Sequence, residues 1–201
     1  DGGDKTPADI KVRSKFLDTA FWQPSVRTDS QGRATVTVQL PDNLTAWRAT
    51  AIGVTDQTEV CQATMLVRAR KDLMIRLQPP SFLVRGDEQT LTATVVNDTG
   101  QAADVNVELL AEGASFQGDK RSVIRVEPGK PATLEWSMRP SSASQATLTA
   151  KAWINGGASD GVRQTAPIRP HGRARTVMQA GVVQGAEEIN LQILPASDRV
   201  T

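Results

Sequence analysis

The sequence predicts an all-β chain built from antiparallel β-sandwich domains in tandem. Apolar and polar side chains alternate over many short segments, as a half-buried strand requires. Threonine and valine fill these segments, and β-branched side chains suit a pleated surface. Turn-forming residues separate the segments, and no long helical stripe interrupts them. The clearest alternating segments are Ala34–Leu40, Thr90–Val95, Asp104–Leu109, Thr133–Met138, Ala146–Ile154 and Glu188–Ile193.

The strand segments predict four parts in the chain of 201 residues. Residues 1–10 form a polar tail, and residues 11–66 carry too few strands for a complete sandwich. Residues 67–169 hold about seven strand segments, which suits one complete seven-stranded sandwich. Residues 170–201 carry two more, too few to close a sheet. We place the main boundary near residues 68–71.

The composition excludes several classes of function. The 23 Lys and Arg residues nearly balance the 22 Asp and Glu residues and are scattered, so we expect no nucleic-acid partner. No apolar segment approaches the roughly 20 residues of a membrane helix, so we expect no membrane insertion by this chain. A single cysteine rules out an intrachain disulfide.

Cys61 and His171 are the candidate reactive residues, and neither fits a known pattern. A nucleophilic cysteine needs a nearby base or positive field, whereas Cys61 lies far from His171 along the chain. No Gly-x-Ser-x-Gly nucleophile elbow is present, and one Cys with one His cannot supply the usual zinc ligands. We therefore predict no catalytic residue, metal or cofactor, with Cys61 buried on a strand. A hydrolase that uses His171 stays open as an alternative.

The four tryptophans are predicted to be core residues, each costing about 3–5 kcal/mol on truncation. They are Trp22, Trp47, Trp136 and Trp153. Because adjacent strand residues face opposite ways, Arg48 should point outward where Trp47 points inward.

Two ordered blocks of residues resemble the α2-macroglobulin family, especially its bacterial members. The first block runs from Val12-Arg13 to Trp47-Arg48, and the second runs from Leu77 to Asn97 and includes Arg85-Gly86-Asp87. Pro170-His171-Gly172-Arg173 is similar to the point where these proteins enter their CUB domain. The structural signature that we single out consists of Phe16, Trp22, Pro24, Asp29, Gly32, Pro41, Asp42, Leu44, Thr45, Trp47, Arg48 and Gly86.

This resemblance implies part of a non-enzymatic, broad-spectrum endopeptidase inhibitor that traps proteases. In the family a protease cuts a bait region and the inhibitor rearranges. The resemblance assigns residues 1–10 to the end of the bait region, 11–66 to a partial macroglobulin-like domain, 67–169 to a complete one and 170–201 to the start of a CUB-like domain. It implies proteases as partners of the full-length parent, contacts with neighbouring domains, and a periplasmic, envelope or secreted location.

The chain departs from the family at its only cysteine. The family's thioester uses a Cys-x-Glu-Gln motif, whereas this sequence reads Cys61-Gln62-Ala63-Thr64. We therefore expect Cys61 not to form a thioester and this chain not to trap covalently. The alternative class is an immunoglobulin-like envelope or adhesion scaffold with no inhibitory role.

Overall fold

The structure, a computed structural model, describes residues 10–172, 176, 178, 180–182 and 185. Within these residues it contains strands and no helix. The strands are β1 (Val12–Arg13), β2 (Ala46–Val54), β3 (Val60–Arg68), β4 (Leu73–Gln78), β5 (Leu83–Val84), β6 (Gln89–Asn97), β7 (Ala103–Glu112), β8 (Ala114–Phe116), β9 (Arg121–Val126), β10 (Pro131–Pro140), β11 (Gln145–Trp153) and β12 (Ser159–Arg169).

Strands β4 to β12 form a β-sandwich of two sheets. One sheet has the strand order β1-β12-β11-β7-β9, and β5 pairs with the far end of β12. The other has the order β4-β6-β10-β8. The pairs are antiparallel except those that β1 and β5 make with β12. The predicted all-β sandwich fold is confirmed.

The core lies between the two sheets and follows the period-two pattern of the sequence. In β6 the side chains of Leu91, Ala93 and Val95 are fully buried, while the residues between them are partly exposed. Trp136 and Trp153 are buried, as predicted. Each sheet therefore buries one face of its strands, which is the arrangement that the alternating segments predict.

Asn97 fixes the turn between β6 and β7 at one end of the core. Its amide nitrogen donates hydrogen bonds to the carbonyls of Gln101 at 2.7 Å and Val126 at 3.1 Å. Its side-chain oxygen accepts from the backbone N–H of Thr99 at 3.0 Å. Because Asn97 is completely buried, these bonds supply the partners that burial of an amide requires.

Strands β2 and β3 form a separate two-stranded hairpin. They pair from Ala46 opposite Arg68 to Val54 opposite Val60. Apart from Trp47 and Gly53, every residue of the two strands is exposed. Several large apolar side chains on the two strands are exposed in the described structure, among them Ile52, Val54, Val60, Met65 and Leu66.

Three sequence predictions about the first part of the chain are wrong. Ala34–Leu40 is not a strand in the described structure, Trp22 is 80% exposed, and Cys61 is exposed on β3. Alternation produces a strand only where a neighbouring backbone completes the ladder, and a side chain on that strand is buried only where a second layer covers it. Among the described residues Ala34–Leu40 has no ladder partner, whereas Cys61 has one in Gly53 but no covering layer. The predicted strand at Glu188–Ile193 lies outside the described residues.

Candidate functional site

The candidate site is the place where residues 10–17, here called the entry segment, join the sandwich. The segment enters through β1, which pairs in parallel with β12 through Val12 opposite Gly161 and Arg13 opposite Val162. Gly161 makes room for this approach. A Cβ atom there would lie 3.1 Å from Cγ2 of Val12 and 3.3 Å from Cγ2 of Ile10.

Arg13 ties the entry segment to both sheets. Its Nε donates to Oδ1 of Asp160 at 2.9 Å and its Nη2 donates to Oδ2 at 2.7 Å, which is a two-pronged guanidinium–carboxylate pair. Nη2 also donates to the carbonyl of Ile75 on β4 at 2.7 Å. Arg13 is only 6% exposed and Asp160 is fully buried, so water competes little for these bonds.

Asp160 has further partners that come from the sandwich itself. Nζ of Lys71 lies 2.9 Å from Oδ1, and the backbone N–H of Ile75 donates to Oδ2 at 3.0 Å. The carboxylate thus faces two cations and one backbone donor. A buried charge is tolerated only when it is paired and hydrogen-bonded, and these contacts meet that requirement.

Asp42 and Asn43 hold the second half of the entry segment. Oδ2 of Asp42 accepts hydrogen bonds from the backbone N–H groups of Ser14 at 3.0 Å and Lys15 at 2.9 Å. The N–H of Asp42 donates to the carbonyl of Lys15 at 2.8 Å. Oδ1 of Asn43 accepts from the N–H of Leu17 at 3.0 Å. These bonds join the beginning and the end of the first sequence block that carries the family resemblance.

The environment of Asp42 favours its ionised form. The backbone bonds from Lys15 and then Ser14 lower the pKa of the Asp42 carboxyl, and the charges of Lys11 and Arg13 act in the same direction. A carboxylate that accepts backbone N–H bonds is stabilised in its charged state. The clasp between Asp42 and the entry segment is therefore complete at neutral pH.

Phe16 adds an apolar contact to the junction. Its partly buried side chain packs against the core cluster of the sandwich. Cζ of Arg13 lies 5.8 Å from the centroid of its ring, within the range of a cation–π contact. The entry segment is thus held by an ion pair, a backbone clasp and an aromatic side chain.

The signature residues fall into separate places in the structure. Phe16 and Asp42 contribute to the junction as described, and Pro41 and Leu44 lie half-buried beside Asp42. The exposed Trp22 and Pro24 lie away from it in the sequence, between the two clasped stretches.

The remaining signature residues shape turns or begin the hairpin. The Asp29 carboxylate accepts from the N–H groups of Gln31 and Arg33, each at 2.9 Å, and Gly32 has a φ of 76°. Gly86 has a φ of 85° in the turn after β5, a conformation that glycine adopts without strain. Thr45 is exposed, and Trp47 is half-buried beside the exposed Arg48 at the start of β2.

Sequence reasoning did not identify Lys71 or Asp160 as site residues. Asp160 carries one usable signal: it occupies the same side of β12 as the buried Val162, where a carboxylate needs a partner. Lys71 marked only the predicted boundary before β4. No sequence pattern joins residues this far apart, because the packing of β4 against β12 brings Lys71 to Asp160.

The candidate reactive residues lie apart from the junction. Cys61 lies on the exposed strand β3 opposite Gly53, and His171 is exposed just after β12. Within the part of the chain that the structure describes, no group of three or more His, Cys, Asp or Glu residues could hold a metal ion. The same described residues contain no helix of the length and apolar character that a membrane span requires.

Comparison with known proteins relates this chain to one protein family. The model of the alpha-2-macroglobulin family matches residues 19–109. An alpha-2-macroglobulin homolog of Deinococcus radiodurans is 33% identical over 181 residues, which cover 89% of this chain and 17% of that protein. This chain belongs to the alpha-2-macroglobulin family.

A second bacterial relative agrees with the assignment to the alpha-2-macroglobulin family. An alpha-2-macroglobulin of Thermotoga maritima is 29% identical over 188 residues, 92% of this chain and 12% of that protein. The chain therefore spans less than a fifth of the length of either relative. A separate family model, CARDB, matches residues 70–155, which lie within the sandwich.

A solved structure supports the fold. The trypsin-activated alpha-2-macroglobulin of Escherichia coli matches with a TM-score of 0.65 at 23% identity, over 72% of this chain and 10% of that one. At this identity the likeness shows the fold alone. The chain therefore adopts a fold found within an alpha-2-macroglobulin.

Proposed function

We propose that this chain is a non-enzymatic coupling element of an alpha-2-macroglobulin-like endopeptidase inhibitor. Membership of the family supports a role in protease inhibition. The observation that carries the proposal is the junction, where one buried guanidinium connects the entry segment to β12 and β4. A movement of the chain upstream of the entry segment meets its first buried charged anchor at Arg13.

The junction offers two routes by which such a movement would spread. Arg13 leads through Asp160 and Ile75 to the two sheets of the sandwich. Asp42 and Asn43 lead from the entry segment toward the β2–β3 hairpin that begins at Ala46. In our proposal, a protease cut in a bait region upstream of Lys11 changes the restraint on the entry segment, and both routes pass the change on.

In this proposal the chain has the four parts that the family resemblance implies. Residues 1–10 end the bait region, 11–66 belong to a partial macroglobulin-like domain, 67–169 form a complete one, and 170–201 begin a CUB-like domain. Proteases act on the full-length parent in the periplasm, at the envelope or outside the cell. The chain itself contributes transmission through contacts with neighbouring domains.

The test uses the full-length parent and several unrelated proteases. We expect each protease to cut upstream of Lys11 and the parent to become markedly more compact, as measured by small-angle X-ray scattering. As a control, the 201-residue chain alone should leave the rate of each protease unchanged. Cleavage confined to other regions, or cleavage without compaction, would show that the proposed coupling is wrong.

A further inference from the structure

We propose that Arg13 is a releasable latch, and that Lys71 is the counter-ion that remains with Asp160 when Arg13 leaves. The inference goes beyond the proposed function, since it concerns a property of this chain in the absence of any protease. In the buried cluster the carboxylate of Asp160 faces two cations, Arg13 and Lys71.

A single cation would be enough to neutralise Asp160 in the closed structure. If Arg13 were that cation, its departure would leave a fully buried carboxylate without a partner, which is strongly destabilising. With Lys71 at 2.9 Å from Oδ1 and the N–H of Ile75 at 3.0 Å from Oδ2, the carboxylate keeps a charge partner and a donor after Arg13 has gone. The second cation therefore makes release tolerable.

The two cations are attached to the sandwich in different ways. Lys71 lies two residues before the first residue of β4, and its Nζ also lies 3.4 Å from the carbonyl of Ser159 at the start of β12. Arg13 arrives on the entry segment, whose strand β1 consists of 2 residues. Lys71 is thus resident in the sandwich. Arg13 is held there by a short ladder and its own side chain, and the residues after it are held by Asp42, Asn43 and the packing of Phe16.

Release of Arg13 also changes the edge of the second sheet. Strand β4 is the outermost strand of that sheet, so its outward backbone groups lack a strand partner there. The carbonyl of Ile75 accepts from Arg13 and its N–H donates to Asp160. When Arg13 leaves, the carbonyl loses its donor while the N–H keeps its acceptor. The amide of Ile75 therefore reports on Asp160 and Lys71 separately from Arg13.

Hydrogen–deuterium exchange of the 201-residue chain tests this inference. In the Arg13→Gln variant we expect exchange in residues 10–17 to rise by about tenfold or more, with β11, β12 and the Ile75 amide keeping their protection. Lys71→Met alone should leave residues 10–17 protected, because Arg13 still neutralises Asp160. The double variant should also lose protection in β4 and β12 and should unfold at a lower temperature than either single variant.

Arg163→Gln is the matched control. Arg163 is an arginine of β12 itself, but its Nε donates to the hydroxyl of Thr149 rather than to Asp160. It should leave the exchange of residues 10–17 unchanged. If Arg13→Gln by itself loosens β12 as much as the double variant does, Arg13 is a fixed part of the sandwich and the latch is wrong. Unchanged exchange of residues 10–17 in Arg13→Gln would overturn it as well. No protease enters this experiment, so it can fail while the proposed coupling function stands.

Discussion

The β6 strand and the β2 strand have the same length of 9 residues, yet only β6 is covered. Leu91 and Val95 of β6 are fully buried between two sheets, whereas Ile52 and Val54 of β2 are more than 60% exposed. Both strands have antiparallel partners. The comparison shows that strand pairing and burial are separate events, and that a lone two-stranded hairpin lacks the second layer that makes a sheet stable in water.

The largest expected effect comes from truncating matched aliphatic side chains in the two regions. Leu91→Ala should lower the free energy of unfolding by about 2–5 kcal/mol, because it leaves a cavity in a closed core. Ile52→Ala should change it by less than about 0.5 kcal/mol, since its side chain is exposed in this chain. Urea unfolding of both variants measures the difference. Equal losses would mean that the hairpin is packed as well as the sandwich.

A pair of glycines tests how closely the sandwich is packed at its turns. Gly113, between β7 and β8, has a φ of 76°, and a Cβ there would lie 2.3 Å from the carbonyl oxygen of Gln145. Gly118 has a φ of 87° and no atom within 4 Å of such a Cβ. Gly113→Ala should therefore destabilise by about 3 kcal/mol and Gly118→Ala by about 1 kcal/mol, measured by thermal unfolding. Similar losses of stability in the two variants would show that the positive φ determines both, and that the close contact with Gln145 adds nothing.

Asp42 offers a pH-dependent test of the clasp that links the entry segment to the start of the hairpin. Its pKa is lowered from 3.8 in the folded chain, so its stabilising contribution is present above 3.8 and is lost as the pH falls through the lower folded value. Asp42→Ala should cost about 1 kcal/mol of local stability at neutral pH. Amide exchange at Ser14 and Lys15, corrected for intrinsic rates, measures this cost. The difference between variant and wild type should disappear in acid, and a difference that persists there would point to contacts other than the carboxylate.

The last expected effect is a local gain in stability at the tip of the hairpin. Thr58 has a φ of 66°, a conformation that β-branched residues rarely adopt. Thr58→Gly should therefore stabilise the hairpin locally by about 1 kcal/mol. Slower amide exchange in β2 and β3 would show this, while Leu91 and its neighbours should exchange as before. Faster exchange would indicate that the hydroxyl bond to the carbonyl of Gln57 outweighs the strain.

The sequence predicted the sandwich well because each alternating segment there meets two requirements, a ladder and a cover. Thr133–Met138 lies in β10 and Asp104–Leu109 lies in β7, as expected. Ala34–Leu40 shows the same alternation but has no strand partner among the described residues. Trp22 is exposed for a related reason: its hydrophobicity favours burial, but no neighbouring element among the described residues covers the ring.

The junction could be predicted only in part. Asp42 and Phe16 both lie in the first block that carries the family resemblance. Asp42 binds Lys15 within that block, whereas Phe16 packs against the core of the sandwich. Asp160 and Lys71 could not be assigned, because a pairing between charges depends on which strand edges meet. Parallel pairing of β1 with β12 brings Arg13 to Asp160, and packing of β4 against β12 brings Lys71 there, and local patterns encode neither arrangement.

Asn97 has a consequence for the choice of expression host. Asn97-Asp98-Thr99 spells the acceptor triplet for N-linked sugar in eukaryotic secretion. In the folded chain the Asn97 side chain is fully buried, and its amide nitrogen donates hydrogen bonds to two carbonyls. An oligosaccharide could be attached only before the core closes, and it would then keep the β6–β7 turn from seating against β9. We therefore expect material secreted from a eukaryotic host to be either unmodified at Asn97 or misfolded, and bacterial expression avoids that choice.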